Sequence, residues 1–266
     1  MDCINVKATL DPVDPVDLQK RVLALTQHEK IEEVWADLCD AMARYGFDRL
    51  FYGFTQFRSG QSLGDPDDFL VLTNHPPSYT QAFFDDQYYR DAPMVRWALN
   101  HDGACSWNVL KQMEDEGVLS AAERRVLMFN RARNVTAGYS VSFRSVSRRA
   151  KGAIALTARI GLDQDAVDAI WEAHSDTILI LCNVAHLKIL TLPYTPPNQS
   201  LTRRQREALE WVGDGKTTAD TAALMGLTPA TVEKHLRLAR AALNVETTAQ
   251  AVLKASFQNQ MFVLDL

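Results

Sequence analysis

Residues Thr228–Leu243 read TPATVEKHLRLARAAL, and the reading of this stretch decides what the flanking segments must be. The Thr228 hydroxyl can cap a helix, and Pro229 behind it takes the first helical position, where no amide donor is lost. Val232, Leu236, Ala239 and Leu243 recur at helical spacing and form one apolar stripe. Ala230, Glu233, Lys234 and Arg237 fall on the opposite face, with Arg240 nearer its edge. Small residues first and long cations later suit a helix whose N-terminal end enters a groove while its flank meets phosphates.

Working outward, Lys216–Leu224 (KTTADTAAL) reads as a shorter helix and Met225-Gly226-Leu227 as a tight turn before the Thr228 cap. Helix, Gly-containing turn and second helix make a helix-turn-helix. Leu201–Asp214 (LTRRQREALEWVGD) supplies a supporting helix capped by Thr202, and Thr247–Ala255 (TTAQAVLKA) reads as a fourth. Residues 201–266 are therefore expected to form an all-α four-helix domain.

The composition agrees once the charge is divided. The 266-residue chain carries a formal net charge of −5. Residues 1–199 hold 20 Lys and Arg against 26 Asp and Glu, whereas residues 200–266 hold 8 against 7. The charge that can attract phosphate is confined to one end, and it is weak. Binding then calls for specific docking, in two copies. No apolar run approaches the roughly 20 residues that span a bilayer, and the acidic start MDCINVKATLDPVDPVD lacks a secretory pattern. Cys3, Cys39, Cys105 and Cys182 stand far apart, which favours reduced thiols in a cytoplasmic protein over a metal or disulfide framework.

Upstream of Leu201 the pattern changes. Two Asp-Pro pairs lead into helical periodicity from Asp17 to Tyr45, followed by strand-like Leu50–Phe57 and Phe69–Thr73. Helix starts follow at Ser78 and Pro93, and Trp107 falls in a loop-like segment. Ser120 and Glu123 form a capping box. Strands over 138–146 and 152–160 flank a basic hairpin, and Asp163 caps a long helix reaching about Leu192. Pro193, Pro196 and Pro197 forbid its continuation. The expectation is an α+β domain over residues 1–192, an antiparallel sheet sandwiched by helices, then a Pro-rich linker at 193–200.

At the residues quoted, LTRRQREALEW, GKTTADTAALMGLTPATVEKHL and ARAALNVETTAQAV, the C-terminal part resembles the DNA-binding domain of LuxR-type regulators over about 201–262. The resemblance implies double-stranded DNA as partner, with Lys216, Thr228, Ala230, Thr231, Lys234, Arg237 and Arg240 at the contact. Three positions depart from the family pattern. Gln205 stands for a Glu, Asp220-Thr221 for Glu-Ile, and Ala241-Ala242 for a basic pair.

Residues 20–190 resemble the autoinducer-binding domain of the same family, through Asn74, Pro76, Tyr88, Pro93, Val95, Trp107, Gly138 and Gly152-Ala153. In that family a sheet and helices enclose an acyl-homoserine lactone, held by Trp, Tyr and Asp. Here the polar set differs. His75 and Tyr79 replace a Tyr and a Trp, and Phe83 replaces a Tyr. Ala92 replaces the Asp, with Asp91 beside it, and Ala155 replaces a Ser or Thr, with Thr157 two places on. The ligand set this implies is Tyr52, Gly53, Phe54, His75, Tyr79, Phe83, Asp91, Trp107 and Thr157. An acyl-homoserine lactone or related apolar signal is the expected autoinducer, with no other cofactor. A LuxR-type regulator that is ligand-independent or senses a non-lactone stays open beside it.

The long helix and the last helix carry more apolar surface than one domain requires, so a homodimer without membrane attachment is expected. No catalytic role is expected. The six histidines are scattered, with no metal-ligand spacing, phosphate loop or Gly-x-Ser-x-Gly. His75 near Tyr79 reads as a polar pair in a binding pocket before an acid/base pair.

Overall fold

The computed structural model of the protein describes residues 15–59, 62–196 and 199–262. The first Asp-Pro pair of the lead-in, Cys3, Pro197 of the linker and residues 263–266 lie outside the described residues. Those described divide into two compact units, the second comprising residues 65–69 and those from Thr191 onward.

In the first unit, α1 (Pro15–Gln27) and α2 (Ile31–Arg44) resolve the long helical stretch into two helices. β1 (Phe47–Thr55) and β2 (Leu70–Thr73) follow, then α3 (Pro77–Asp85), α4 (Tyr88–Asp91) and α5 (Pro93–Asn100). β3 (Gly103–Ser106) and α6 (Asn108–Asp115) occupy the segment around Trp107 that reads as a loop in the sequence. α7 (Ala121–Arg131) starts with the Ser120/Glu123 capping box, both of whose bonds form. β4 (Gly138–Ser142) and β5 (Lys151–Ala158) lead to α8 (Gln164–Ile189), where the Asp163 carboxylate accepts from the Ala166 amide.

The five strands form one antiparallel sheet in the order β2-β1-β5-β4-β3. Alternation gives the sheet two distinct faces. On one, Leu50, Tyr52, Tyr139, Phe143, Ile154 and Leu156 are buried, Tyr139 stacks on Trp171 of α8 at 3.9 Å, and Phe143 stacks on His186 at 4.0 Å. The other face carries Phe51, Gly53, Ser140, Ser142, Ala153, Ala155 and Thr157 and receives α3. Helices therefore cover both faces, as expected.

In the second unit, α9 (Arg203–Gly213), α10 (Thr218–Met225), α11 (Pro229–Ala242) and α12 (Thr248–Phe257) surround a core that includes Ala208, Leu209, Ala222, Val232, Leu236, Ala239, Leu243 and Ala251. Each helix starts at a Thr whose hydroxyl accepts from an amide three residues on. The two conservative departures fit this scheme. Gln205 closes a capping box with Thr202, its amide oxygen accepting from the Thr202 N–H at 2.8 Å. Asp220 does the same for Thr217. Gly226, at φ +67°, makes the left-handed turn between α10 and α11 that a side chain would strain.

Candidate functional site

On the helix-covered face of the first unit, strand register sets the neighbours. Arg49, Thr157 and Gly138 share one row across β1, β5 and β4. Phe51, Ala155 and Ser140 share the next, and Gly53, Ala153 and Ser142 the one beyond. Four residues along β5 separate the first row from the third, roughly 13 Å. The third row is built of Gly, Ala and Ser, and a β-carbon on Gly53 would meet no other atom within 4 Å. Open space thus lies over Gly53, at the far end of a strip of small side chains.

The near end is aromatic and polar. Tyr79 stacks on His75 at 4.5 Å and on Phe83 at 5.8 Å, and Phe51 meets Phe83 edge-on at 5.4 Å. His75 Nε2 lies 3.4 Å from Thr157 Oγ1. The Tyr79 hydroxyl donates to Asn130 Oδ1 at 3.0 Å, and the Trp107 indole N–H donates to Ser140 Oγ at 2.9 Å. Gly138 is what lets the indole approach β4 closely. A β-carbon there would sit 3.0 Å from the ring and 2.2 Å from the Leu156 carbonyl oxygen. Burial, with the Arg49 guanidinium adding to it, pulls the His75 pKa down to about 4, and burial pushes the Tyr79 hydroxyl up to about 12. Both are neutral near pH 7, so this end presents dipoles and no net charge.

Six of the nine sequence-named residues, Gly53, His75, Tyr79, Phe83, Trp107 and Thr157, come together on this face. Three do not. Tyr52 and Phe54 have the opposite parity to Gly53 and point at α8. The Tyr52 hydroxyl lies 2.9 Å from His186 Nδ1, and Phe54 meets the same imidazole edge-on. Asp91 is exposed at the end of α4. Ala92, next to it, is buried at the start of α5 and brings no acceptor to the missing Asp's place. Phe51, Phe129, Asn130 and Ser140 belong to the set and were not picked out by sequence. Period-two alternation from Gly53 identifies Phe51; the others depend on long-range pairing.

In the second unit, Lys216, Thr228, Ala230, Lys234 and Arg237 are exposed, the last three one turn apart along α11. Thr231 is half-buried, its hydroxyl 2.9 Å from that of Thr228. Arg240 departs from expectation. Its guanidinium donates to Thr248 Oγ1 at 2.8 Å and to Glu233 Oε1 at 3.1 Å, so it ties α11 to the start of α12. Ala241 beside it is exposed and uncharged, leaving Lys234 and Arg237 as the forward-facing cations of that helix.

Among the described residues, no group of His, Cys, Asp or Glu could hold a metal, and no helix is long and apolar enough to cross a membrane. An α+β unit with open space over Gly53 of its sheet, followed by a helix-turn-helix unit, fits the layout of a transcription regulator. The autoinducer-binding domain model matches residues 30–189, and that of sigma-70 region 4 matches 199–243. The transcriptional activator protein AnoR of Acinetobacter nosocomialis is 24% identical over 244 residues, 90% of this chain and 95% of that one. Crystalline SdiA of Escherichia coli shares the fold, with a TM-score of 0.51 at 16% identity over 92% of this chain and 98% of that one. SdiA in complex with octanoyl-rac-glycerol also scores 0.51 at 16% identity, over 91% and 93%. The chain belongs to the LuxR family of autoinducer-binding transcription regulators. Its relatives and both family models are regulators, not enzymes.

Proposed function

We propose that the signal is a neutral amphiphile with a long acyl chain, an acyl-homoserine lactone or a chemically related ester. Its head lies among His75, Tyr79 and Trp107, and its tail runs over Ala155 and Ala153 to Gly53. The strip of small side chains ending in open space at Gly53 carries this reading. The SdiA complex with octanoyl-rac-glycerol supports an ester head as well as a lactone. Each buried methylene contributes about 0.8 kcal/mol, so a few of them offset one hydrogen bond not made by Ala92. Calorimetry over a chain-length series tests it. Twelve-carbon acyl-homoserine lactone should bind at least tenfold tighter than the four-carbon one, and equal affinities would refute a hold that is mainly apolar.

We propose further that the chain acts in the cytoplasm as a homodimer on two half-sites, its residues 1–192 sensing and dimerising and 201–266 binding DNA. Exposed Ile180 and Leu187 lie on one side of α8, and exposed Leu253 and Phe257 on α12; their spacing supports a contact through both helices. Thr228, Ala230 and Thr231 enter the major groove, with Lys216, Lys234 and Arg237 on phosphates or base edges. Lys234→Ala and Arg237→Ala should each weaken operator binding about tenfold and flatten its salt dependence, without changing the circular dichroism spectrum. If both variants bind as the wild type does, the interface lies elsewhere.

A further inference from the structure

Asn130 sits at the polar end of the strip with a hydrogen-bonding capacity that the fold does not use. It is in the last turn of α7, half-buried, and its backbone carbonyl accepts from the amides of Arg133 and Val135. Its side-chain oxygen accepts from the Tyr79 hydroxyl. A Tyr hydroxyl has one proton to give, so Tyr79 cannot also donate to a ligand while that bond stands. The Trp107 indole proton is committed to Ser140 in the same way. The Asn130 carboxamide N–H₂ keeps two donors that have no acceptor among the described residues.

Ring packing holds the turn of α7 that carries Asn130. Phe129, the neighbour of Asn130 on α7, meets Tyr79 at 5.2 Å and Tyr88 at 4.4 Å, both rings tilted to it, with the Arg133 guanidinium 3.9 Å from its ring centre. The end of α7 is thereby pinned against α3, and the Tyr79 hydroxyl sets the rotation of the carboxamide. The complementary group on a neutral ligand is an acceptor oxygen. A ligand amide N–H gets no partner from Ala92, and the Asn130 oxygen already accepts one of its two possible bonds, from Tyr79.

We infer that Asn130, oriented by Tyr79, holds a carbonyl oxygen of the ligand and makes the pocket select for a carbonyl-bearing head, ester or lactone, with no requirement for an amide. This rests on the pocket reading above, and the test separates the two. Full-length protein is titrated with 1-octanoyl-rac-glycerol, with N-octanoyl-homoserine lactone, and with N-phenyl-1-naphthylamine, an apolar probe without a carbonyl. Asn130→Leu keeps the size and removes the donors, so both carbonyl probes should bind about tenfold more weakly while the naphthylamine is unaffected. Asn130→Asp, whose ionised carboxylate only accepts, should show the same pattern and serves if the Leu variant folds poorly. Undiminished binding of the carbonyl probes by the variants overturns the inference. So does wild-type binding of the naphthylamine alone, which would leave the pocket standing. Wild-type protein that binds none of the three refutes the pocket reading and the inference with it.

Discussion

Gly53→Leu should leave the protein folded and abolish its response to long-chain signals. The β-carbon meets nothing within 4 Å, so the new side chain enters the open space over β1 without displacing backbone. Filling that space excludes the distal part of an acyl chain. Four excluded methylenes are worth about 3 kcal/mol, a loss of roughly 200-fold in affinity, with little change for a four-carbon ligand. Calorimetry with both chain lengths, alongside the melting temperature, reads the result. Unaltered affinity for the twelve-carbon ligand, with the fold intact, would show that the tail does not lie over Gly53. Gly152→Ala is the control for the other face, because its β-carbon would come within 2.7 Å of the His186 ring.

The second large effect is acid sensitivity of the first unit. Burial holds His75 and His186 at a pKa of about 4, against about 6.5 in an unfolded chain. Both folded values lie below the unfolded one. The stability these neutral imidazoles allow is fully present above pH 6.5 and is lost as the pH falls towards 4. At pH 5 each costs about 2 kcal/mol. Together that is a large part of the 5–15 kcal/mol typical of a domain. Urea unfolding followed by tryptophan fluorescence at pH 7.5 and 5.0 should show this drop, and His75→Gln or His186→Gln should each remove about half of it. A drop of the same size in both variants would assign the acid sensitivity to other groups.

How much of this was legible beforehand depends on how local its cause is. The second unit was readable because its signals are short-range: Thr202 and Thr228 at two helix starts, Pro229 behind one of them, Gly226 at the turn. The Ser120 box and the Asp163 cap were readable for the same reason. β3 and α6 were not. Gly103–Ser106 is too short to show alternation, and α6 starts at Trp107, which has no capping bond from its side chain. The aromatic run of β1 invited grouping Tyr52, Gly53 and Phe54 together, but a pleated strand sends neighbours to opposite faces. The pairing of Tyr79 with Asn130 crosses 51 positions and left no trace in spacing. Arg240 reads as a phosphate contact in the sequence, and its bonds to Thr248 and Glu233 depend on the packing of α12, which spacing does not show.

The floor of the strip, Gly53 with Ala153 and Ala155, is made of the smallest residues that exist. Single substitutions there can add atoms and, at Gly53, can remove none. Drift at Gly53 therefore runs in one direction, towards less room over the sheet. A lineage that acquired a larger signal would have to make room by changing the helices above the sheet, since the sheet has almost nothing left to give.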